Sequence, residues 1–234
     1  MTVRTLAASI LAQAIDPKLC PGCQHQLNSS QIFCPRCLDR LEKVSNACHL
    51  CGLENQSDGE VCAVCLYDPP RWQQLIAPMQ YRGLARELLL MLKFSESLYL
   101  ANSLVSTLAK SFLTTSPPEV LLPVPLHPNR FIGRGFNQAL EIARILSVRL
   151  DIPIDTQSLQ RIRDTQAQAG LTANQREKNI LKAFSCTNVT AYRHVAVVDD
   201  IVTTGSTANE ITKTLHRAGI ETVEIWGLAR VVKY

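Results

Sequence analysis

The sequence predicts an α/β chain with a parallel central sheet, preceded by a small cysteine-rich domain. Three observations carry that prediction. From residue 72 onward, strand-like apolar runs alternate with helical patterns, the mark of a parallel sheet with helical crossovers. One run, HVAVVDD from His194 to Asp200, is almost continuously apolar before it ends in two acids, as an interior strand covered on both faces should be. Eight of the nine cysteines crowd between residues 20 and 65 as four Cys-x-x-Cys pairs. The boundary implied lies between a module at 1–66 and a body at 72–234.

Composition narrows the class. With 234 residues, 46% hydrophobic and 19% charged, the chain has enough apolar content for a real core and too little charge bias for disorder. No apolar run approaches the roughly 18 residues that span a bilayer, so no membrane insertion and a cytoplasmic location are expected. Residues 1–15, MTVRTLAASILAQAI, imitate a signal peptide in Arg4 and a terminal Ala-Gln-Ala, but Ser9 and Gln13 interrupt the apolar run. Leu6, Ile10, Leu11 and Ala14 fall at helical spacing, so a short amphipathic helix is the better reading. Residues 1–70 hold 5 Lys/Arg against 7 Asp/Glu, a net of −2, and residues 71–234 hold 19 against 13, a net of +6. A cationic body suits a polyphosphate or nucleic-acid ligand.

The pairs are CPGC, CPRC, CHLC and CAVC, with ten residues between each pair and the next. Two thiolates three positions apart grip one face of a tetrahedral ion, and two such knuckles complete a four-sulfur site of the kind structural zinc prefers. A disulfide framework would need an oxidising compartment. A redox-active pair would be expected to stand out from the other three. Eight thiolates therefore predict two structural Zn²⁺ sites. Cys20, Cys34, Cys48 and Cys62 recur every fourteen residues, so spacing alone does not choose partners. Sequential ribbons (Cys20/Cys23 with Cys34/Cys37, Cys48/Cys51 with Cys62/Cys65) are favoured because each closes one short loop. A cross-braced arrangement is the alternative. His25 and His49 are spare ligands at most. Such a module has little core and should need metal to fold.

Beyond the linker YDPPRW, QQLIAPMQY reads as a strand and LARELLLMLKF and YLANSLVSTLAKSFL as helices. TTSPPE breaks the chain, VLLPVPL is a short strand, and FNQALEIARILSVRL is an amphipathic helix with Ala139, Ile142, Ala143, Leu146 and Leu150 on one stripe. Residues 161–179 are polar with no strong period, ahead of ILKAFSC. After HVAVVDD come a helix over Ser206–Ala218, ended by Gly219, and a final strand TVEIWGLARVV. Trp72, Trp226, His194 and Cys186 read as structural.

In parallel sheets ligands sit beyond the carboxyl ends of the strands, which puts Asp199–Thr207 at a binding site. TTGST runs into a helix, so backbone N–H groups, hydroxyls and Gly205 make a phosphate cradle. Neither the nucleoside-triphosphate loop nor the dinucleotide fingerprint is present. Two acids just ahead would repel a bare phosphate, yet they suit sugar hydroxyls or a nearby metal. The ligand that satisfies both is a ribose 5-phosphate. A solvated strand end and a phosphoacceptor of the receiver type are the competing readings of the acids. The latter expects its acids early in a shorter domain.

VAVVDDIVTTGST resembles the phosphoribosyl-pyrophosphate (PRPP) signature of type I phosphoribosyltransferases. With LLPVPLHPNRFIGRGFNQA, RIRDTQAQAGLTANQREKNILKAF and the four-pair module, almost the whole chain resembles the ComF family, which includes competence and GntX-like proteins. The resemblance implies the type I phosphoribosyltransferase fold behind a double zinc ribbon. It implies Asp199 and Asp200 on the ribose hydroxyls with Mg²⁺, and Thr203, Thr204, Gly205, Ser206 and Thr207 on the 5-phosphate. His127, Arg130 and Arg134 would contact the pyrophosphate. Arg161, Arg163, Gln168 and Arg176 would belong to a catalytic loop that closes over PRPP, and Lys93 would face the site. For residues 161–179 the plain alternative is a polar surface loop, and Arg130 and Arg134 could simply meet solvent. Arginines and Mg²⁺ aimed at the departing pyrophosphate would supply mainly electrostatic stabilisation. Two functions follow: a working phosphoribosyltransferase with an acceptor no motif identifies, or a PRPP-sensing protein of the competence machinery that binds single-stranded DNA in natural transformation.

Overall fold

The computed structural model describes residues 18–28, 31–55, 60–95, 98–127, 136–165, 172–187 and 191–232. The expected N-terminal helix, Arg130, Arg134 and Gln168 lie outside them, and no side chain is described for Arg176. Among the described residues, no helix is long and apolar enough to cross a membrane.

Strands and helices are numbered in chain order. The axis of the sheet is β6 (His194–Val202), with β3 (Val120–Pro123) parallel on one side and β7 (Thr222–Arg230) parallel on the other. The edge beyond β7 is shared by β1 (Gln74–Ile76) and β2 (Met79–Gln80), each paired parallel to it. The expected strand over 73–81 is thus two, broken at Ala77-Pro78, where proline removes a ladder donor.

Residues of β6 alternate between two cores. Ala196 and Val198 face the cluster containing Leu88, Leu104, Leu121, Leu146 and Trp226. Val195 and Val197 face the cluster containing Val120, Ile211, Leu215, Val223 and Ile225. The first cluster is closed by α3 (Gly83–Ser95), α4 (Leu98–Leu108) and α5 (Gln138–Leu150), and the second by α7 (Ser206–Arg217). Covering both faces is what demands the continuous apolar run. The stripe on α5 is buried at Ala139, Ile142, Ala143 and Leu146, while the helix expected over 99–113 passes into a 3₁₀ turn at Ala109–Phe112.

Residues 159–186 differ most from the sequence reading. They form an antiparallel pair, β4 (Leu159–Arg161) with β5 (Phe184–Cys186), apart from the main sheet. Helix α6 (Ala173–Ile180) lies between them. Its near-complete lack of apolar residues hides it from periodicity.

The cysteine module is one unit repeated at an interval of 28 residues. Short helices α1 (Pro35–Arg40) and α2 (Ala63–Tyr67) occupy equivalent places. The bridge Leu19–Gln26 is matched by Ala47–Glu54. Backbone bonds from Cys20 N to His25 O and from Cys48 N to Leu53 O correspond, and left-handed Gln24 corresponds to left-handed Gly52. The second unit docks on the sheet edge, where Leu75 N donates to His49 O (2.9 Å) and Gln80 Nε2 to Glu54 Oε2 (3.3 Å). The link between the units runs alongside, with Gln80 N donating to Glu42 O (2.9 Å) and Val44 N to Pro78 O (3.0 Å).

Candidate functional site

The acids lie within β6, which continues through them to Val202, rather than at its tip. Asp199 sits beside Gly227 of β7, a residue with no side chain to crowd it. Asp199 Oδ1 accepts from Asp200 N (2.9 Å), and Asp200 Oδ1 accepts from Ile201 N (2.8 Å). Burial, reinforced by the Asp200 charge, pushes the Asp199 carboxyl well above the usual carboxylate range, while the positive charge of Arg161 opposes the shift. A metal ion or hydroxyl donors here would relieve two adjacent negative charges.

Past Val202 the chain turns through Thr203 and Thr204 into Gly205, the N-cap of α7, at φ 82° and ψ 0°. This left-handed conformation is one glycine adopts without a Cβ penalty. Thr204 Oγ1 and Ser206 Oγ are hydrogen-bonded at 2.8 Å, and Asn209 N donates to Gly205 O (2.8 Å). The hydroxyls of Thr204 and Ser206 thus meet at the positive end of a three-turn helix, where an anion is favoured, with Thr203 and Thr207 next to them in the chain.

Arg161 ends β4, is buried, donates to Thr165 Oγ1 and lies 5.6 Å from the centre of the Phe184 ring. Its influence on Asp199 links the hairpin to the acid pair. The Arg163 guanidinium bonds the Leu181 carbonyl within the same hairpin. His127, in the loop after β3, has Nδ1 3.7 Å from Asp164 Oδ1, so hairpin and loop meet. Asn137 caps α5 by accepting from Ala139 N (3.1 Å) and holds the loop by donating to Val124 O (3.2 Å). The carbonyl of Lys93 accepts from Gln138 Nε2 (3.2 Å), which fixes the end of α3 beside the first turn of α5.

Three residues of this region escaped the sequence reading as site residues. Trp72, assigned only a structural role, donates its indole N–H to Leu50 O and packs its ring against Gly205. Arg230 Nε donates to Cys51 O (2.8 Å), while its Nη1 donates to Val202 O (3.0 Å) and to Thr203 O. Tyr81 follows β2; burial raises its phenol, Arg86 opposes this, and the Asp200 charge adds to the rise. No sequence signal marks Tyr81 or Arg230, because their importance lies in what stands across the sheet.

The sulfur groups are sequential: Cys20, Cys23, Cys34 and Cys37 form one, and Cys48, Cys51, Cys62 and Cys65 the other, all ligand atoms within 4.8 Å of one another. Cys23 and Cys34 Sγ are 3.7 Å apart, and Cys51 and Cys62 Sγ 3.8 Å. Four sulfurs at about 2.3 Å from a tetrahedral zinc would be about 3.8 Å apart, so the donor set fits zinc. Equivalent N–H···S bonds run from Cys34 N to Cys20 Sγ (3.4 Å) and from Cys62 N to Cys48 Sγ (3.3 Å). Burial raises the Cys48 thiol, but backbone donors led by Cys62 outweigh it and bring the group down to about 7. Burial pushes Cys51 up to about 11.

Residues 135–231 match the phosphoribosyl transferase domain. Competence protein F of Haemophilus influenzae is 36% identical over 221 residues, spanning 91% of this chain and 90% of the relative. The chain belongs to the ComF family. DNA utilization protein YhgH of Escherichia coli K12 is 34% identical over 92% of this chain and 98% of its own length. Among solved structures, the glutamine PRPP amidotransferase from B. subtilis is 17% identical over 62% of this chain and 30% of its own, at a TM-score of 0.41. The domain match and the parallel β3–β6–β7–β1/β2 sheet give this ComF-family chain the type I phosphoribosyltransferase fold.

Proposed function

We propose that this chain binds PRPP with Mg²⁺ at Asp199–Thr207 and transfers its phosphoribosyl group, releasing pyrophosphate. The observation that carries the reading is the acid pair on β6 running, within one turn, into the Gly205-capped start of α7. Sugar hydroxyls and a terminal phosphate need those two chemistries that far apart. Asp199 and Asp200 accept from the ribose hydroxyls, while the hydroxyls and helix terminus at Thr203–Thr207 seat the 5-phosphate. Mg²⁺, when bound, offsets charge on the acids and on the pyrophosphate oxygens. As the bond from the anomeric carbon to pyrophosphate breaks, pyrophosphate leaves with the electron pair and the acceptor atom bonds to that carbon. His127, Arg130 and Arg134 steady the leaving group. Arg161, Arg163 and Lys93 complete a cationic surround. The two four-cysteine groups hold two structural Zn²⁺ ions in a module at 1–66, ahead of a transferase body at 72–234.

Calorimetric titration of PRPP, with and without Mg²⁺, tests the reading. Asp199→Ala with Asp200→Ala is expected to abolish binding while circular dichroism stays native; retained affinity in the folded variant overturns the ligand assignment.

The names of the relatives, a competence protein and a DNA utilization protein, favour a second role at the same address. The chain then works in the cytoplasm within DNA uptake and binds single-stranded DNA through its cationic body. Such binding weakens steeply with salt as counterions are released. Lack of affinity at low salt removes this role without touching the first.

A further inference from the structure

The two cysteine groups are near copies, yet they stand in different relations to the phosphate seat. The first packs into the apolar cluster against α3, with Cys20, Cys34 and Cys37 buried among Leu84, Leu88 and Leu41. The second meets β1 and β2, and from its Leu50–Gly52 knuckle two bonds lead to the seat. Leu50 O receives the Trp72 indole N–H, and the far edge of that ring lies against Gly205, where an added Cβ would come within 2.9 Å of Trp72 Cη2. Cys51 O, the carbonyl of a metal-ligand residue, receives Arg230 Nε, and the same guanidinium holds the carbonyls of Val202 and Thr203. Arg230 is buried, and Gly52 itself is pressed on Leu75, where an added Cβ would come within 2.4 Å of Leu75 Cδ2. The knuckle therefore has little room to move without carrying its two bonds along.

We propose that Trp72 and Arg230 are positioning residues that tie the phosphate seat to the second cysteine group, so that metal at Cys48, Cys51, Cys62 and Cys65 sets the affinity for a phosphorylated sugar and metal at the first group does not. This rests on the phosphate-seat reading above. The physical reason is the shape of the guanidinium. It spans the knuckle carbonyl on one side and two loop carbonyls on the other, and its planar fork fixes their separation. Withdrawing the ion frees Cys51 to rotate, the Cys51–Arg230 bond loses its geometry, and Val202–Gly205 loses its brace while Asp199 and Asp200 stay in the ladder. The acids keep their register, and the anion seat loosens.

The test uses the full zinc-loaded chain, with ribose 5-phosphate as the calorimetric probe and hydrogen exchange read across residues 200–209. Arg230→Lys keeps the charge but cannot reach both sides at once. It is expected to keep two zinc ions, bind the probe about 10-fold more weakly, and exchange faster in 200–209. Trp72→Phe keeps most of the packing and loses the Leu50 bond, and a smaller loss of about 3-fold is expected. The equivalent ligand variants Cys23→Ser and Cys51→Ser separate the two groups, because only the second should speed exchange in 200–209. If either ligand variant fails to fold, Arg230→Lys decides alone, since it leaves both groups intact. Unchanged affinity and exchange in Arg230→Lys, or equal exchange in the two cysteine variants, overturns the proposal. A wild-type chain that does not bind ribose 5-phosphate overturns the phosphate-seat reading instead, and the exchange measurement still judges the coupling.

Discussion

Gly205→Ala should be among the more damaging single-methyl additions in this chain, and its cost can be divided in advance. The residue sits at φ 82°, where an L side chain costs about 1–2 kcal/mol. The new Cβ would also lie 2.9 Å from Trp72 Cη2, well inside van der Waals contact. Trp72 cannot easily yield, because its indole N–H is bonded to Leu50 O and the ring is buried. Overpacking of that kind costs about 1–3 kcal/mol, for a total of about 2–5 kcal/mol. The two parts separate in a double-mutant cycle measured by urea unfolding of the zinc-loaded chain. Phenylalanine at 72 does not reach as far as Cη2, so Gly205→Ala made in the Trp72→Phe background should cost only the backbone share. A coupling of about 1–3 kcal/mol is therefore expected. Additivity within about 0.5 kcal/mol would refute the claim that the ring and the loop press on each other.

Other expectations follow from the same physics. Asp199 holds its proton longer when folded than when unfolded, so its contribution to stability falls as pH rises between those two states. Asp199→Asn should accordingly raise Tm where the wild-type carboxyl is ionised in the folded chain, with the advantage shrinking as pH falls and the residue regains its proton; a pH-independent difference in melting scans would contradict this. Metal analysis should find two zinc ions per chain, and chelation should melt the region around 18–67 first, because N–H···S bonds and a few leucines cannot hold so small a module alone; one ion per chain would contradict two four-sulfur sites. Glu224 is buried, accepting from Trp226 Nε1 at 2.7 Å and lying 2.9 Å from His194 Nε2. Glu224→Ala strands both partners and should cost about 2–4 kcal/mol with a shift in tryptophan fluorescence, whereas a loss under about 0.5 kcal/mol would show that the network contributes little.

The sequence alone specified whatever depends on local spacing and periodicity. Cysteines at intervals of three and fourteen imply closed sulfur sites, because ligand geometry is set within a few residues. An apolar run ending in two acids, then hydroxyls around Gly205, implies an interior strand feeding a glycine-capped helix, because strand, turn and helix terminus are contiguous. Pairing across distance was not legible. Which cysteine pairs join is decided by the fold of each 28-residue unit, and all the spacings between neighbouring pairs are equal. The hairpin of β4 and β5 and the polar helix α6 carry almost no periodic signal, since the residues they bury in the second core, Leu159, Ile180, Ala183 and Phe184, are few and fall at no regular interval. Arg230 and Trp72 look like ordinary strand and linker residues until the sheet edge brings Cys51 and Leu50 beside Val202 and Gly205. Those contacts join positions about 130 to 180 residues apart in the chain, and no local preference encodes them; only docking of the second cysteine unit on β1 and β2 does, because burying that edge fixes where its carbonyls point.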